Sequence, residues 1–346
     1  MSFGSASFKL FRRCQGAVGI GHAPHLQYTR LEASDLGASL AGEKLEPIYV
    51  AELPGGFATH QGGQITSDGL LVEELSRHLQ QPIQTHRHLH SFQLGRRIKK
   101  FPGTVFNLVS PCQYNYYHWT LEVLPKLELF RLHGGPASGA RYYVETSKPF
   151  QLESLRLLGL DPGALINSKE VPTIQASRLI GATIPGPSGV AHPWAVQWLR
   201  KSLADGSTPE PAGCLVISRS KAKNRRMVNE DELISTLAPL NPQKIELETC
   251  SVSQQINLFR QAKIIIAPHG AGLTNMVFAQ TGAHVIELFG GTYRNPCYEK
   301  LAAVVGCRYT AVVNRDETDP TNGESHIRLD LEAVAQAALA IRPRPA

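Results

Sequence analysis

The apolar and polar positions along the chain fall into blocks that predict alternating buried strands and amphipathic helices. The clearest block covers residues 264–289. It opens with a β-branched apolar run at 264–267, passes through a turn at 268–272 and an apolar segment of helical spacing, and closes with a second apolar run at 285–288. Strand, glycine turn, helix and strand form a βαβ unit, whose first turn lies at the carboxyl edge of a parallel sheet. Open α/β proteins bind ligands at that edge, so the block predicts a binding site.

The second half of the chain continues this alternation. Strands are predicted at 214–218, 244–247 and 308–313, and helices at 229–237, 253–260 and 295–305, with Asn229 and Glu232 in capping-box-like positions. Alternating strands and helices favour a parallel sheet. A terminal helix is predicted at 329–341, and it can pack back across either domain.

The first half is less regular. Strands are predicted at 47–53, 104–109, 141–145 and 177–184, and helices at 68–79, 117–132, 149–158 and 192–203, with Asp68 as a candidate cap. Pro125 should kink its helix or shift the start of that helix. Glycine and proline cluster between 185 and 213, which predicts a domain boundary. We therefore expect domains at 1–190 and 191–325, followed by a helical segment at 326–346 that can pack on the N-terminal domain.

Composition and charge indicate which classes of molecule the protein could bind. At 346 residues the chain is long for one core, and its ordinary apolar and charged fractions argue against extensive disorder. The net charge of +6 predicts an acidic partner: a phosphorylated ligand, a nucleic acid or an anionic membrane surface. The charge alone does not choose among these.

The cysteines and the lengths of the apolar runs indicate the cellular compartment of the protein. The six cysteines form no CxxC pair, which favours reduced thiols in a cytoplasmic protein. No uninterrupted apolar run approaches the roughly 18 residues that span a bilayer, and the first residues lack the order of a secretory signal. A basic and apolar patch at 8–13 allows peripheral contact with a membrane, although such a patch also fits an ordinary ragged terminus.

Three histidines at alternate positions are the candidate metal ligands. His86, His88 and His90 would share one face of a strand, as a metal site requires. Neither an acid nor a cysteine stands at ligand spacing nearby, so the sequence favours a polar strand face over a metal site.

A polar pair marks the helix predicted at 117–132. His118 and Glu122 stand four residues apart and therefore on one helical face, and Asn115 precedes them. Together with the aromatic residues Tyr117 and Trp119, this pattern is typical of a pocket wall. It also fits a capped core helix with a buried His–Glu hydrogen bond.

Two segments that follow strands in the second half of the chain have residues that could bind an anion. At the turn His269, Gly270, Ala271 and Gly272, small residues let backbone N–H groups approach a negative charge, although the same residues also build a plain tight turn. The segment after residue 218 holds several cations, whose guanidinium groups could neutralise a diphosphate; a solvated loop or a nucleic-acid patch is the alternative. These cations are Arg219, Lys221, Lys223, Arg225 and Arg226. The aromatic cluster at 114–119 lies far from them in sequence, which counts against nucleic acid.

Three stretches together resemble the motif blocks of glycosyltransferase family 61. They read YNYYHWTLEVLP, SRSKAKNRRMVNEDEL and PHGAGLTNMVFAQTGAHVIEL, and they stand in the order that this family has. The resemblance implies an α/β protein of the GT-B class, with two Rossmann-like domains facing a cleft. It also implies an inverting transferase that uses a nucleotide sugar, typically a UDP-sugar, as co-substrate, with neither a metal ion nor another cofactor.

The same resemblance assigns roles to residues. The C-terminal domain would bind the donor, and its donor-binding residues would be Arg219, Lys223, Arg225, His269, Gly270, Ala271, Gly272 and Asn275, with Glu287 on the ribose. The N-terminal domain would bind the acceptor, a glycan or a glycosylated molecule. Its pocket wall would include Asn115, Tyr117 and Trp119. Glu122 would be the base, or it would orient His118 to act as the base.

The absence of a recognisable signal or anchor suggests a bacterial cytoplasmic enzyme of surface-polysaccharide assembly, with peripheral contact at the inner membrane. Two other functions stay open on the sequence: a nucleotide-binding protein without catalysis, and a nucleic-acid-binding protein that uses the basic loop.

Overall fold

The computed structural model describes residues 19–21, 27–31, 48–76, 98–135, 139–186, 189–204, 210, 213–291, 293–316 and 325–340. The chain forms two compact units: the first comprises Met1–Ser188 and His192–Trp198, and the second comprises Gly189–Ala191 and Leu199–Ala346. The sequence predicts a boundary at 190/191. His86, His88, His90, the neighbouring basic residues 96–97 and the patch at 8–13 lie outside the described residues.

The first unit is built on a ten-stranded sheet. Its strands are β1 (Gly19–Gly21), β2 (Gln27–Leu31), β3 (Ile48–Pro54), β4 (Phe57–Thr59), β5 (Gln64–Ile65), β6 (Leu70–Val72), β7 (Ile98–Asn107), β8 (Arg141–Val144), β9 (Leu165–Asn167) and β10 (Thr173–Ala182). Its helices are α1 (Glu73–Ser76), α2 (Tyr116–His118), α3 (Lys126–Leu132) and α4 (Pro149–Leu157). The strand order is β1-β6-β5-β4-β10-β7-β8-β9, with β3 also paired to β10, and β2 to β3.

Strand β10 lies at the centre of this sheet and makes it mixed rather than parallel. It runs parallel to β7 on one side and antiparallel to both β3 and β4 on the other. Strands β3 and β4 pair with neighbouring parts of β10, because the turn that joins β3 to β4 is short. In that turn Gly55 has a φ of +64°, and its N–H donates to the carbonyl of Ser177. The Rossmann-like sheet expected for the N-terminal domain is therefore present only in the parallel part, β10-β7-β8-β9.

The prediction of a helix at 68–79 is wrong for the first half of this range. Residues 66–69 form a turn in which the N–H of Gly69 donates to the carbonyl of Thr66, and Asp68 accepts from the Thr66 hydroxyl instead of capping a helix. The apolar run that follows is strand β6, buried between β5 and β1, and only Glu73–Ser76 is helical. Burial on both sides selects the extended form for these residues. Residues 77–79 lie outside the described residues.

The helix predicted at 117–132 is interrupted by a π-helical turn at Trp119–Val123. The N–H of Leu124 donates to the carbonyl of Trp119, five residues earlier. Pro125 follows directly, and it has no N–H to donate to the carbonyl of Leu121. The predicted kink is therefore confirmed as a widened turn, after which α3 begins at Lys126.

The second unit is built on a parallel five-stranded sheet. Its strands are β11 (Cys214–Ile217), β12 (Pro242–Ile245), β13 (Ile264–Pro268), β14 (His284–Phe289) and β15 (Arg308–Val313), in the order β12-β11-β13-β14-β15. The short strands β16 (Arg315–Asp316) and β17 (Ile327–Arg328) pair with each other. Helix α5 (Pro193–Leu203) begins in the first unit and ends in the second. The other helices of the second unit are α6 (Glu230–Thr236), α7 (Val252–Gln261), α8 (Cys297–Val305) and α9 (Leu331–Leu339). The parallel sheet predicted for this half is confirmed.

Two local details differ from the expectations for this unit. The segment after the glycine turn is a 3₁₀ helix, Ala271–Phe278, rather than an α-helix. Asn229 does not cap α6, because its amide bonds to both backbone groups of Leu329. Helix α9 packs within this unit, where Val334 and Ala338 are buried in the core with the strands of the sheet. Packing of the segment 326–346 on the N-terminal domain stays a prediction.

Strand β12 is an outer strand of the described sheet, and its Gln243 and Lys244 are exposed. Among the described residues, no helix is long and apolar enough to cross a membrane. The five described cysteines are free thiols.

Candidate functional site

The second unit offers a ligand-binding crevice between β11 and β13. Numbered by chain position, the five strands run 2-1-3-4-5, so the chain reverses its winding direction between the first and the third. At such a switch point the connections leave the two neighbouring strands in opposite directions, and a crevice opens at their carboxyl ends. Arg219 follows β11 and His269 follows β13, so both predicted segments meet at this crevice.

Arg219 and Gly270 are in close contact there. A Cβ atom built on Gly270 would lie 2.4 Å from Nη1 of Arg219. The φ of Gly270 is 171°, an extended value open to any residue, so the position needs glycine for space and not for conformation. Nη2 of Arg219 donates to the carbonyl of Asn224 at 3.2 Å, while its Nε is buried with no hydrogen-bond partner among the described residues.

The surroundings of the Arg219 guanidinium lower its pKa on balance. Burial, and next the charge of Arg225, lower the pKa of Arg219. Two cations held close together, one of them partly desolvated, are a strong attractor for a polyanion such as a diphosphate.

Arg225 approaches the crevice from a constrained backbone. Its φ is +57°, in the left-handed region, and its guanidinium lies 5.4 Å from the centre of the Tyr293 ring. A narrow recess lies beside this pair. It is lined by Arg225, His269, Leu288, Phe289, Gly290, Tyr293 and Ser325.

His269 is held by a buried acid. Its Nδ1 lies 2.5 Å from Oε1 of Glu287, and the other carboxylate oxygen of Glu287 accepts from the Tyr309 hydroxyl at 2.6 Å. Glu287 is 0% exposed. Glu287 lies within β14, and its two oxygens contact His269 and Tyr309. Its contact with a ribose stays a prediction.

The other residues of the glycine turn shape it. Ala271 and Gly272 open the 3₁₀ helix, whose first N–H groups lack partners within the helix. A Cβ on Gly272 would lie 2.7 Å from Cδ1 of Leu247, so close packing explains this glycine. Asn275 is fully buried, and its amide donates to Gln255 and to the carbonyl of Gly272. These two hydrogen bonds support the turn, and the donor-binding role of Asn275 stays a prediction.

The basic segment divides into inward and outward cations. Arg219 and Arg225 point to the crevice, whereas Lys221 pairs with Glu246 at 2.5 Å and Arg226 bonds to His326. Lys223 is exposed on the loop. The sequence showed the run of charges but not this division, because the partners Glu246 and His326 are distant in the chain.

In the first unit, His118 and Glu122 form the predicted pair. Nδ1 of His118 lies 2.8 Å from Oε1 of Glu122, and the side chains are 18% and 7% exposed. One turn further, Lys126 is buried, and its Nζ donates to the carbonyl of Val109 at 3.0 Å. Burial lowers the pKa of Lys126 to about 8, while the charge of Glu122 opposes that shift.

The predicted pocket wall is mostly core. The side chain of Asn115 accepts from the N–H of Tyr117 at 2.9 Å as an N-cap. Trp119 is 0% exposed, and its indole N–H donates to Ser154 at 2.8 Å. Tyr117 is 7% exposed. Asn115 thus caps the helix and Trp119 packs in the core, while their place in an acceptor pocket stays a prediction.

Tyr114 is the exposed aromatic side chain of this region, and the sequence analysis did not single it out. It is 60% exposed, one residue before the cap of the helix that carries His118. The only available signal was its place in the same aromatic cluster. Among the described residues, no group of three or more histidine, cysteine, aspartate or glutamate side chains could hold a metal ion.

Comparison with known proteins agrees with the resemblance carried by the three motifs. The family described as Glycosyltransferase 61 matches residues 116–286, a stretch that runs from the start of α2 into β14. Residues 116–286, just under half of the chain, are thus similar to glycosyltransferase family 61, and this similarity supports a glycosyltransferase.

Individual relatives match shorter stretches. The chain is 33% identical over 109 residues to the EGF domain-specific O-linked N-acetylglucosamine transferase of Drosophila melanogaster, covering 31% of this chain and 21% of that protein. It is 36% identical over 81 residues to the protein O-linked-mannose beta-1,4-N-acetylglucosaminyltransferase 2 of Xenopus laevis, covering 22% and 14%. It is 26% identical over 110 residues to the beta-1,2-xylosyltransferase of Arabidopsis thaliana, covering 28% and 21%.

The matched stretches thus span about a fifth or less of the length of these relatives. The relatives come from animals and a plant, and they lend no support to the bacterial surface-polysaccharide role expected from the sequence.

Proposed function

We propose that this protein is an inverting glycosyltransferase that moves a sugar from a nucleotide sugar, by resemblance a UDP-sugar, to a hydroxyl acceptor. The observation that carries the proposal is the contact between Arg219 and Gly270 at the switch point of the second sheet. A partly desolvated guanidinium, a second arginine and the start of a 3₁₀ helix converge at one crevice. This combination suits a diphosphate.

The proposed chemistry is a single displacement. The acceptor oxygen forms a bond to the anomeric carbon while the bond from that carbon to the diphosphate oxygen breaks. The acceptor proton passes to the His118–Glu122 pair, and the nucleoside diphosphate leaves with the bonding electrons. Glu122 is the base, or it orients His118 to be the base; their 2.8 Å contact supports either role. Arg219 and Arg225 stabilise the charge of the leaving group.

The finer features of the proposal rest on the family resemblance. They are the GT-B arrangement of an acceptor domain and a donor domain, and metal independence. Arg219 and Arg225 support metal independence, because cationic side chains can neutralise a diphosphate in place of an ion. The cytoplasmic location, a peripheral contact at the inner membrane and a lack of nucleic-acid partners stay predictions of the sequence.

The acceptor that we propose is a hydroxyl on a glycan or a glycoprotein. The support is in the relatives' names, which describe transfer to EGF domains and to protein-linked mannose. An acceptor in polysaccharide assembly has no such support.

Donor binding is the first test. We expect UDP or a UDP-sugar to raise the melting temperature more than GDP-, CMP- or dTDP-sugars do, with the same shift in EDTA, because a ligand of the native state stabilises it by mass action. Arg219→Ala should abolish the shift. Lys263→Ala removes the same charge at the other end of the same sheet, before β13, and should keep the shift.

The outcomes separate the alternatives. No shift with any nucleotide would overturn the donor site, and a shift that EDTA removes would overturn metal independence. Binding without release of UDP from any UDP-sugar would favour a nucleotide-binding protein without catalysis.

A further inference from the structure

One buried serine ties the loop that carries Arg219 to helix α6. Ser218 is the first residue after β11 and is 1% exposed, and its hydroxyl donates to Oε2 of Glu230 at 2.9 Å. The same hydroxyl accepts from the N–H of Ser220 at 3.2 Å. A serine hydroxyl has a single hydrogen to donate, so these two bonds together fix its orientation. Arg219 therefore lies between two residues that are held by one side chain.

The backbone around Arg219 is held as well. The N–H of Ser218 donates to the carbonyl of Ile245 at 2.8 Å, which continues the pairing of β11 with β12. The carbonyl of Arg219 accepts from the N–H of Ala222 at 2.9 Å and closes a turn. These contacts fix the direction in which the Arg219 side chain leaves the backbone, and its guanidinium lies against Gly270.

Glu230 acts on this loop through the serine. In the described part of the chain it forms no ion pair with Arg219. Burial and the charge of Arg225 lower the pKa of Arg219, and the charge of Glu248 opposes them. Glu230 is 8% exposed, and an acid this close to an anion site would by its charge alone weaken the binding of a diphosphate. The hydrogen bond that it accepts from Ser218 explains its position.

An arginine that is already in place binds an anion more tightly than a mobile one. Ordering a long side chain costs conformational entropy, and a protein that orders the side chain in advance does not lose that entropy on binding. In this crevice Gly270 provides the space for the guanidinium, and the bonds of Ser218 provide its direction.

We propose that Ser218 and Glu230 are positioning residues that direct the Arg219 guanidinium to Gly270 before a nucleotide binds. The acid fixes the serine hydroxyl, the hydroxyl fixes the N–H of Ser220, and the turn between them carries the arginine. The consequence for nucleotide binding rests on the proposed function, in which Arg219 contacts the nucleotide.

The first measurement follows Arg219 without nucleotide. The arginines are labelled with ¹⁵N, Arg219→Lys assigns the Nε–H signal of Arg219, and heteronuclear NOEs report its motion on the picosecond to nanosecond timescale. We expect a rigid Nε–H in the unmodified chain and a mobile one in Ser218→Ala and Glu230→Ala. An Nε–H that is equally rigid in the variants would overturn the proposal. An Nε–H that is mobile in the unmodified chain would overturn it even where a variant does not fold.

The second measurement is the dissociation constant of UDP, obtained by calorimetry. Ser218→Ala should raise it about 5- to 10-fold, because the hydroxyl that holds the loop is lost. Glu230→Ala should raise it by a similar factor, although the loss of a negative charge would by itself tighten binding. Glu230→Gln still accepts from the serine hydroxyl and should bind UDP nearly as the unmodified chain does. Tighter binding of UDP by Glu230→Ala would overturn the proposal.

Ser220→Ala is the matched control. Ser220 follows Arg219 as Ser218 precedes it, and its hydroxyl donates to Glu246 at 2.6 Å in an exposed contact. The variant keeps the backbone N–H that bonds to Ser218. It should change the affinity for UDP less than about twofold. An equal loss of affinity in Ser220→Ala and Ser218→Ala would mean that any contact of the loop has the same effect, and the proposal would fail.

A double variant tests whether Ser218 acts through the arginine. Gly270→Ala by itself displaces the guanidinium of Arg219. If Ser218 serves to direct the guanidinium to that space, adding Ser218→Ala to Gly270→Ala should raise the dissociation constant less than about twofold further. Independent effects would instead multiply, and that product would overturn the proposal.

The two measurements separate this proposal from the proposed function. If UDP binds the unmodified chain and Ser218→Ala equally well, the proposed function stands and the positioning role fails. If the unmodified chain binds no UDP, the proposed function fails and the consequence for nucleotide binding fails with it, while the motion of the Nε–H still tests whether Ser218 and Glu230 hold Arg219.

Discussion

The guanidinium of Arg219 occupies the space where a side chain at residue 270 would stand. Nη1 lies 2.4 Å from the position of a Cβ built on Gly270, closer than two such atoms can approach. The two residues are 51 positions apart in the chain, and each stands two residues after the last residue of a central strand. The glycine of one loop is therefore needed so that the arginine of another loop can reach the crevice.

Gly270→Ala should weaken nucleotide binding without unfolding the protein. The new methyl group displaces the guanidinium, which is the flexible end of a long side chain, so the cost in stability should stay below about 1 kcal/mol. The dissociation constant of UDP, measured by calorimetry, should rise about tenfold with the loss of a charge-assisted contact.

Gly272→Ala is the matched comparison. Its methyl group would meet Leu247 in the core rather than Arg219. We expect a loss of stability of about 1 to 3 kcal/mol from overpacking, with UDP affinity changed less than in Gly270→Ala. Equal UDP affinity in Gly270→Ala and the unmodified protein would contradict the role of this contact.

His118→Ala and Glu122→Gln should each slow sugar transfer while leaving UDP affinity unchanged. Removing a general base typically costs about 10²- to 10⁴-fold in turnover. The measurement is the rate of UDP release from the donor, with water or a glycan as acceptor. Glu128→Gln, which removes a carboxylate paired with Arg131 on α3, is the control and should keep normal turnover. Near-normal rates in both test variants would rule out this pair as the base.

Lys126→Met should remove a pH dependence of stability. Burial lowers the pKa of Lys126 to about 8 in the folded protein, against 10.5 as its ordinary value. Between these pH values the unfolded chain binds more protons, so the stability contributed by this site rises with pH. The free energy of unfolding of the unmodified protein, minus that of the variant, should therefore increase by about 3 kcal/mol from pH 8 to pH 10.5.

Urea unfolding at several pH values checks this prediction. The buried cysteines and tyrosines, whose pKa values burial raises, act in the opposite direction. They are common to both proteins and cancel in the difference. A difference that is flat across this range would mean that the ammonium group is not desolvated.

Ser154→Ala should destabilise the first unit. It leaves the indole N–H of fully buried Trp119 without its acceptor at 2.8 Å. An unsatisfied buried donor costs about 1 to 3 kcal/mol, measurable by urea unfolding. Ser154→Thr keeps the hydroxyl and should recover much of the loss. If alanine and threonine behave alike, the hydrogen bond is not what stabilises this contact.

The second unit was largely predictable from the sequence because its pairing is local. Strand β13 is apolar throughout and β14 is mostly apolar, and each connects to the next strand through one helix, so the pattern determines both burial and direction. The meeting of Arg219 with the glycine turn also followed, since the carboxyl ends of parallel strands share one edge.

The first unit was less predictable because its pairing is distant. Strand β10 pairs with β3 and β4 more than 110 positions earlier in the chain, and no local pattern encodes that choice. Side-chain partners were equally hidden. Glu287 ends an apolar run like an exposed acid, and only the position of Tyr309 on the next strand shows that it faces inward. Asn115 and Asn229 stand in similar positions before helices, yet the first caps its helix and the second bonds to Leu329.

The outer position of β12 also bears on self-association. An exposed sheet edge offers unpaired backbone groups to any other strand, and proteins protect such edges with proline and charge. Strand β12 begins with Pro242, which has no N–H to offer, and carries Lys244, which is held by Glu230 and Asp231. Replacing these two residues with β-branched apolar ones would make this edge a template for strand addition, so their value to the protein lies in preventing aggregation rather than in supporting the crevice.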